Sequence, residues 1–201
     1  MTHDEKRKEW LRKAEEERQA IAKAVCIESD FIPITTVYNQ ASGIIIASVE
    51  RRSAERLSRL FFRHSSERSY RPLGSPAPDI HYKDLLTSPT LPVIYYTVWR
   101  FTKCPGEQGG YGGDWLSVDR FDLGQHTTDT LITKGSLQLP QPYSGGWVSS
   151  LFSVAPDDSA IFCSCGLMER PEKGRVHYWA CSIAPRSQRV TLLSRLEGIY
   201  F

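Results

Sequence analysis

The chain has 201 residues, of which 40% are hydrophobic and 24% are charged, so it is long and apolar enough to build a packed core. This composition excludes a wholly disordered chain and a fibrous protein. With 25 basic and 23 acidic residues, the formal charge of +2 provides no overall attraction to nucleic acid or to anionic lipid.

Residues 1–33 are predicted to form an N-terminal amphipathic helix followed by a linker. From about residue 4 to about residue 25 the segment is rich in strong helix formers and contains neither Gly nor Pro. Trp10, Ala14, Ile21 and Val25 fall on one stripe, which Arg18 interrupts. Because the stripe is thin, the helix needs a surface: either its own domain or a partner protein.

Targeting features are absent from the sequence. Residues 1–18 are charged and contain no apolar segment of the kind that a secretory signal needs. No run approaches the roughly 18 apolar residues of a membrane span, so we expect no membrane partner. The five cysteines are odd in number, and without an export signal they are expected to be reduced thiols. These features predict a cytoplasmic location.

Residues 34–201 are predicted to be all-β. They hold all 14 glycines and every proline except Pro33, and short β-branched and aromatic runs alternate with turn residues. No second helical pattern of convincing length follows, which argues against a βαβ architecture. The predicted strands are 34–38, 44–49, 59–64, 93–101, 115–123, 129–133, 148–154, 160–165, 177–183 and 190–194.

The strands also indicate an internal repeat of about 60 residues. Leu73, Leu131 and Leu192, which fall on the fourth strand of each unit, lie 58 and 61 residues apart. Turn sequences separate the strands of each unit in the same order. We therefore predict three four-stranded antiparallel units, at about residues 34–75, 88–135 and 147–198.

This pattern resembles the TolB-like and WD-repeat-like β-propeller superfamily over about residues 34–198. Residues 152–162, Phe-Ser-Val-Ala-Pro-Asp-Asp-Ser-Ala-Ile-Phe, are similar to the Ser-Pro-Asp-Gly hairpin between the first two strands of that family's blades. Ala155 replaces the usual Ser, and Asp158 replaces Gly. The runs 178–183 and 190–193 look like its third strand, turn and fourth strand. The resemblance implies a propeller-like fold, but no catalytic residues, because propellers carry many functions.

Three blades are fewer than the four to eight of a closed propeller. The outer faces of the first and last units would then be apolar patches too large for an ordinary monomer. A homodimer of two such half-propellers would remove both patches. Two alternatives are kept: the three units close into one barrel or sandwich, or the chain is a piece of a longer propeller.

Two glycine-aromatic loops are the candidate ligand contacts. Residues 109–115, Gly-Gly-Tyr-Gly-Gly-Asp-Trp, and 143–147, Tyr-Ser-Gly-Gly-Trp, both precede predicted strands. Their aromatic residues Tyr111, Trp115, Tyr143 and Trp147 offer flat surfaces for sugars, bases or peptides, and the glycines allow close approach. The alternative is that the glycines satisfy turns and the aromatic rings fill gaps between blades.

One basic concentration stands out, and it suggests either a phosphate-binding surface or exposed hairpin turns. We favour the turns and expect no nucleic-acid partner. The basic surface residues are Arg51, Arg52, Arg56, Arg59 and Arg63, with Arg68 and Arg71 nearby.

Histidine and cysteine spacings provide no clear site. His81 falls in a Pro-rich connection and is expected to be an ordinary loop residue. His177 begins a strand and is expected to point into a blade interface. Cys163 and Cys165 share a strand face, which Cys181 could approach, but they lack the four-ligand pattern of structural zinc. We expect small buried side chains there, and no metal or cofactor.

No catalytic signature is present, so the sequence favours a non-enzymatic binding or assembly module that presents its loops, and its N-terminal helix, to a protein partner. The alternative is a propeller-type hydrolase or lyase acting on a sugar or peptide-like substrate, with its site on the axis of a homodimer.

Overall fold

The computed structural model describes Arg12 and residues 31–51, 58–73, 78–103, 111–137, 143–169 and 176–196. No helix within these ranges is long and apolar enough to cross a membrane. The helix predicted over about residues 4–25 lies outside them except for Arg12, and it stays a prediction. The strands in these ranges are β1 (Phe31–Asn39), β2 (Ile44–Arg51), β3 (Ser58–His64), β4 (Arg71–Leu73), β5 (Ile80–Thr87), β6 (Val93–Lys103), β7 (Tyr111–Asp122), β8 (Thr127–Thr133), β9 (Tyr143–Val154), β10 (Ile161–Glu169), β11 (Val176–Ala184) and β12 (Arg189–Leu196).

The strands form three antiparallel meanders in chain order: the first sheet is β1–β4, the second β5–β8 and the third β9–β12. Three hairpins close in the same way, with a residue of positive φ whose N–H donates to the carbonyl four residues earlier. These closing bonds are Gly43 to Asn39, His126 to Asp122 and Gln188 to Ala184. The all-β class and the three four-stranded antiparallel sheets are thereby confirmed.

The sheets meet mainly through their first strands, since β1 lies against β5 and β5 against β9. Meanders arranged around adjacent first strands resemble the blades of a propeller. Because side chains of a strand alternate between its faces, each sheet can pack on a neighbour at either side. On β10, Ile161, Cys163, Cys165 and Leu167 are fully buried against the second sheet.

The second sheet therefore lies between two cores. Toward the third sheet, its Tyr95, Trp115 and Leu131 pack with the buried side chains of β9–β11. Toward the first sheet, Ile94 and Tyr96 pack with Ile44, Ile46 and Leu60. Burial of these large side chains stabilises the stack by about 1.5–3 kcal/mol each.

Hairpin turns at one end of the stack are linked by buried polar side chains. Asn39, in the first sheet, donates from Nδ2 to the carbonyl oxygens of Leu91 (2.9 Å) and Val93 (3.1 Å) in the second. Asp158, in the third sheet, accepts from the hydroxyls of Ser88 (2.7 Å) and Thr90. The turn of the second sheet is thus held from both sides.

β5 differs from the sequence analysis, which placed no strand there and treated His81 as a loop residue. His81 lies within β5 and is 1% exposed, and its Nδ1 lies 2.9 Å from Glu50 Oε1. The alternation of β5 is broken by a β-bulge between Lys83 and Leu86, where Asp84 has a φ of 53°. The bulge explains why the pattern did not predict a strand.

Candidate functional site

The two glycine-aromatic segments meet at one cavity between the second and third sheets. They are strand residues rather than loops that precede strands, because β7 begins at Tyr111 and β9 at Tyr143. Both strands start at the same end of the stack, so the segments face each other. The aromatic cavity has a volume of about 460 Å³ and is lined by Trp99, Gly113, Asp114, Trp115, Lys134, Leu137, Ser144, Gly145, Gly146, Trp147 and Met168.

The glycines of these segments allow close packing around the cavity. A Cβ atom on Gly146 would lie 2.7 Å from Leu167 Cδ2 and 3.0 Å from the carbonyl oxygen of Gly166. Trp147 pairs across the strands with Gly166, where a Cβ atom would lie 2.4 Å from Cζ2 of the indole ring. The indole can therefore lie against its own sheet only because Gly166 has no side chain.

The cavity presents the carbon faces of its tryptophans. Trp115 is 2% exposed and donates its indole N–H to the carbonyl oxygen of Ser117 at 3.0 Å. Trp99 donates its indole N–H to Thr97 Oγ1 at 3.2 Å. Since both N–H groups are satisfied within the protein, these rings turn carbon atoms toward the cavity, and the partly buried Trp99 contributes more of this surface than the buried Trp115.

Two of the four predicted ligand contacts, Trp115 and Trp147, line the cavity. Tyr143 instead packs within the third sheet, where its hydroxyl accepts from the Trp179 indole N–H at 3.1 Å. The side chain of Tyr111 lies outside the described residues. The sequence analysis did not select Trp99, although it lies in a strand that the pattern predicted.

A polar pair lies at the edge of the aromatic cavity. Lys134 Nζ donates to Asp114 Oδ1 at 2.8 Å, and both side chains are more than half exposed. Such an exposed ion pair adds little stability, about 0–1 kcal/mol. It nevertheless places a carboxylate and an ammonium group beside the aromatic rings, and it leaves the edge without net charge.

A second, polar cavity of about 520 Å³ lies between turns at the opposite end of the same two sheets. It is lined by Tyr95, Arg120, Asp129, Asp158 and Arg186 among others. Arg120 is held by Asp129 at 3.0 Å and Asp122 at 3.6 Å. Asp158 is 9% exposed, and its second carboxylate oxygen has no hydrogen-bond partner among the described residues.

Two carboxyl groups between the sheets have raised pKa values. Burial raises the pKa of Asp84, although the hydroxyl of Thr97, 2.9 Å away, partly opposes the shift. Burial likewise raises the pKa of Asp119, which hydrogen bonds from Ser117 and Thr130 partly offset. Since ionised carboxylates are costly to bury, both groups bind protons more readily in the folded chain than in the unfolded chain.

The outer face of the third sheet, which points away from the second sheet, is apolar and exposed. Phe162 and Met168 alternate with the core residues of β10 and are 38% and 42% exposed, and Val176, paired with Met168, is 38% exposed. Phe152 and Leu193, each beside a β-bulge, are 55% and 52% exposed. Five of the eight large apolar side chains that are exposed within the described ranges thus belong to the third sheet.

The corresponding face of the first sheet differs. Ala47 and Val49 alternate with Ile44 and Ile46 along β2, so they point away from the second sheet, yet both are 0% exposed. With Phe61 and Tyr70 they form a separate buried cluster. On this face the β2 and β3 residues are therefore covered, whereas Tyr38 of β1, which pairs with Ile45, is 53% exposed.

Two described arginines of the basic segment make contacts within the fold, whereas Arg59 has a buried Nε with no hydrogen-bond partner among the described residues. Arg63 donates to the carbonyl oxygen of Glu67 at 2.7 Å, and its guanidinium lies 5.2 Å from the centre of the Tyr70 ring. Arg71 pairs with Glu67. These contacts agree with the interpretation of this part of the segment as a hairpin turn, which is ordered by its arginine side chains. Arg52, Arg56 and the side chain of Arg51 lie outside the described residues.

The remaining candidate residues, His177 and the three described cysteines, do not come together as one site. His177 points toward the second sheet, with Nε2 at 3.0 Å from Glu169 Oε1. Cys163, Cys165 and Cys181 are free and fully buried in the core, and hydrogen bonds with Cys163 and Cys181, together with burial, raise the pKa of Cys165. Within the described ranges, no group of three or more His, Cys, Asp or Glu residues is arranged to hold a metal ion.

Comparison with known proteins supports the fold alone. No family model matches the chain, and no curated protein sequence matches it. A solved structure described as "Oligogalacturonate lyase in complex with manganese" is similar, with a TM-score of 0.55 and 10% sequence identity. The match covers 85% of this chain and 43% of that chain, so the chain spans less than half the length of that protein. The similarity, to a β-propeller, is compatible with a propeller-like fold.

Proposed function

We propose that the chain is an assembly module that pairs with a second copy of itself through the outer face of the third sheet. The observation that carries this proposal is that five of the eight exposed large apolar side chains of the described ranges belong to the third sheet, and that the pairing places Phe162, Met168 and Val176 on this face. Contiguous apolar surface of this kind marks interaction sites, because exposure to water costs free energy that a partner can recover.

The face has the character of an interface between blades. Inside the chain, each contact between neighbouring sheets buries one apolar face on another. Phe162 and Met168 are exposed at two of the four outward positions of β10, with the buried Ser164 and Gly166 between them, and Val176 continues the surface onto β11. A second sheet face is therefore a partner of matching shape and chemistry.

A second copy fits better than an unrelated partner. The propeller-like neighbour is more than twice as long as the part that this chain matches, and two copies would supply a body of comparable size. The outer face of the first sheet is already buried at Ala47, Val49 and Phe61, so we place the contact between the two third sheets rather than in a closed ring. Such a contact is isologous, as in most homodimers.

The size of the face is adequate. A stable interface buries roughly 800 Å² per partner and involves about 20–30 residues a side. About half of the residues in four strands of eight to twelve residues point outward, and turns at the strand ends add to them.

The test is the solution mass of two variants matched for exposure. Phe162→Lys places a charge on the outer face, where Phe162 is 38% exposed, whereas Leu91→Lys makes the same change at a turn where the side chain is 41% exposed. We expect the wild type and Leu91→Lys to be dimers by sedimentation equilibrium, and Phe162→Lys to be monomeric at the same concentration. A wild-type monomer, or equal dissociation of both variants, would contradict the proposal.

The pairing also bears on the alternative of a propeller-type hydrolase or lyase. An enzyme whose site lies on the axis of a homodimer would lose turnover in Phe162→Lys together with the dimer. The assembly module predicts that neither the dimer nor the monomer hydrolyses or eliminates oligosaccharide or peptide substrates.

A further inference from the structure

We propose that the aromatic cavity is a binding site for a neutral sugar, of the size of a disaccharide. The proposal concerns the end of the second and third sheets at which β7 and β9 begin, and it does not depend on the pairing of two copies, although Met168 borders both surfaces. Its volume of about 460 Å³ falls within the roughly 300–1,000 Å³ of small-molecule sites.

The walls suit a ring with an apolar face. Trp99, Trp115 and Trp147 line the cavity, and the indole N–H groups of the first two are bonded within the protein. A pyranose ring presents C–H groups on its faces, and these pack on the carbon surface of an indole without leaving a polar group unpaired. Gly113 in the second sheet and Gly145 and Gly146 in the third keep part of each wall at backbone level, which leaves room for the ring.

The edge suits the hydroxyl groups of such a ring. Asp114 accepts and Lys134 donates hydrogen bonds, and both are exposed enough to turn toward a ligand. Ser144, which also lines the cavity, adds a hydroxyl that can do both. The vicinal hydroxyls of a sugar need hydrogen-bond donors and acceptors side by side, and this edge provides both. A planar heterocycle would leave most of these protein donors and acceptors unused.

The charge balance selects a neutral ligand. Asp114 and Lys134 lie 2.8 Å apart and neutralise each other, and no other charged side chain lines the cavity among the described residues. A uronate or a phosphorylated sugar would gain from Lys134 only what it lost to Asp114.

The test is a titration of the full chain with cellobiose, maltose and lactose, followed by tryptophan fluorescence and calorimetry. Asp114→Asn is paired with a control, Asp129→Asn, at an exposed aspartate of the polar cavity; the two side chains are 57% and 59% exposed. Loss of a charged hydrogen bond is expected to weaken binding about tenfold in Asp114→Asn, and the control should bind as the wild type does.

Saturable binding of at least one disaccharide with this pattern supports the assignment. It is overturned if none of the three binds, if both variants lose affinity equally, or if digalacturonate or adenosine binds more tightly than every neutral disaccharide. Circular dichroism of both variants serves to show that each is folded, and the surface positions of the two aspartates make unfolding an improbable cause of lost binding.

Discussion

Asn39 offers the sharpest test of how the first two sheets are held together. It is 0% exposed, and its Nδ2 group donates to the carbonyl oxygens of Leu91 and Val93 and, at 3.4 Å, of Ser88. Its Oδ1 accepts from the backbone N–H (2.9 Å) and the hydroxyl (2.8 Å) of Ser42. We predict that Asn39→Ala loosens both the turn and its contact with the second sheet.

The magnitude follows from the bonds that are lost. Each buried hydrogen bond contributes about 1 kcal/mol net, so the two shorter bonds from Nδ2, which has two hydrogens, and the two bonds to Oδ1 together amount to about 4 kcal/mol. Leu91 O and Val93 O also accept backbone N–H groups, at 2.8 Å and 3.1 Å, and would keep a partner in the variant. Because these two carbonyl groups are not left unpaired, the expected loss in the free energy of unfolding is about 3 kcal/mol, somewhat less than the sum of the four bonds.

Urea unfolding, followed by tryptophan fluorescence and circular dichroism, measures this loss. Ser42→Ala is the control, because it removes one bond inside the same turn and should cost only about 1 kcal/mol. Asn39→Asp should cost at least as much as Asn39→Ala at neutral pH, because a carboxylate would face three carbonyl oxygens. If Asn39→Asp proves as stable as the wild type, the reasoning about this amide is wrong.

Two further predictions concern the sheet interfaces. Because burial raises the pKa of Asp119, its contribution to stability is present below its ordinary pKa of 3.8 and is lost as the pH rises through the folded pKa. Asp119→Asn should therefore unfold at a higher urea concentration than the wild type at pH 7, and its stability should change less between pH 4 and pH 7. An unchanged pH profile would contradict this. Gly166→Ala places a Cβ atom against the Trp147 ring and should lower the free energy of unfolding by about 1–3 kcal/mol, measured by thermal unfolding. In the control Gly124→Ala the new Cβ would meet only Asp122 Oδ1, at 3.4 Å, and the loss should be less than about 1 kcal/mol. Equal losses in the two variants would contradict the packing argument.

The strands of the third sheet could be predicted from the sequence because local signals agree there. Turn residues punctuate short apolar runs between 150 and 194, and the positive φ of Asp158 and Gln188 falls within the turns. The same signals fail at β5, where a bulge at Asp84 breaks the alternation. A β-bulge depends on partners far along the chain, here Thr97 and Leu151, which local periodicity does not record.

The candidate site was predictable only in its parts. Glycine and aromatic residues mark Trp115 and Trp147, but their meeting depends on how two sheets stack. Lys134 follows β8 and has no local feature that points to Asp114, twenty residues away. The burial of the outer face of the first sheet also could not be predicted from β2, because its continuous apolar run is compatible with one covered face or with two.

The central claim, that the outer face of the third sheet pairs with a second copy, is tested most directly by the solution mass of the wild-type chain. Light scattering on a sizing column, repeated over a hundredfold dilution, measures it without any substitution. We predict a mass twice that of one chain, which persists at the higher concentrations and falls toward one chain only on dilution. A chain that stays monomeric at every concentration, with its third sheet exposed, would contradict the account.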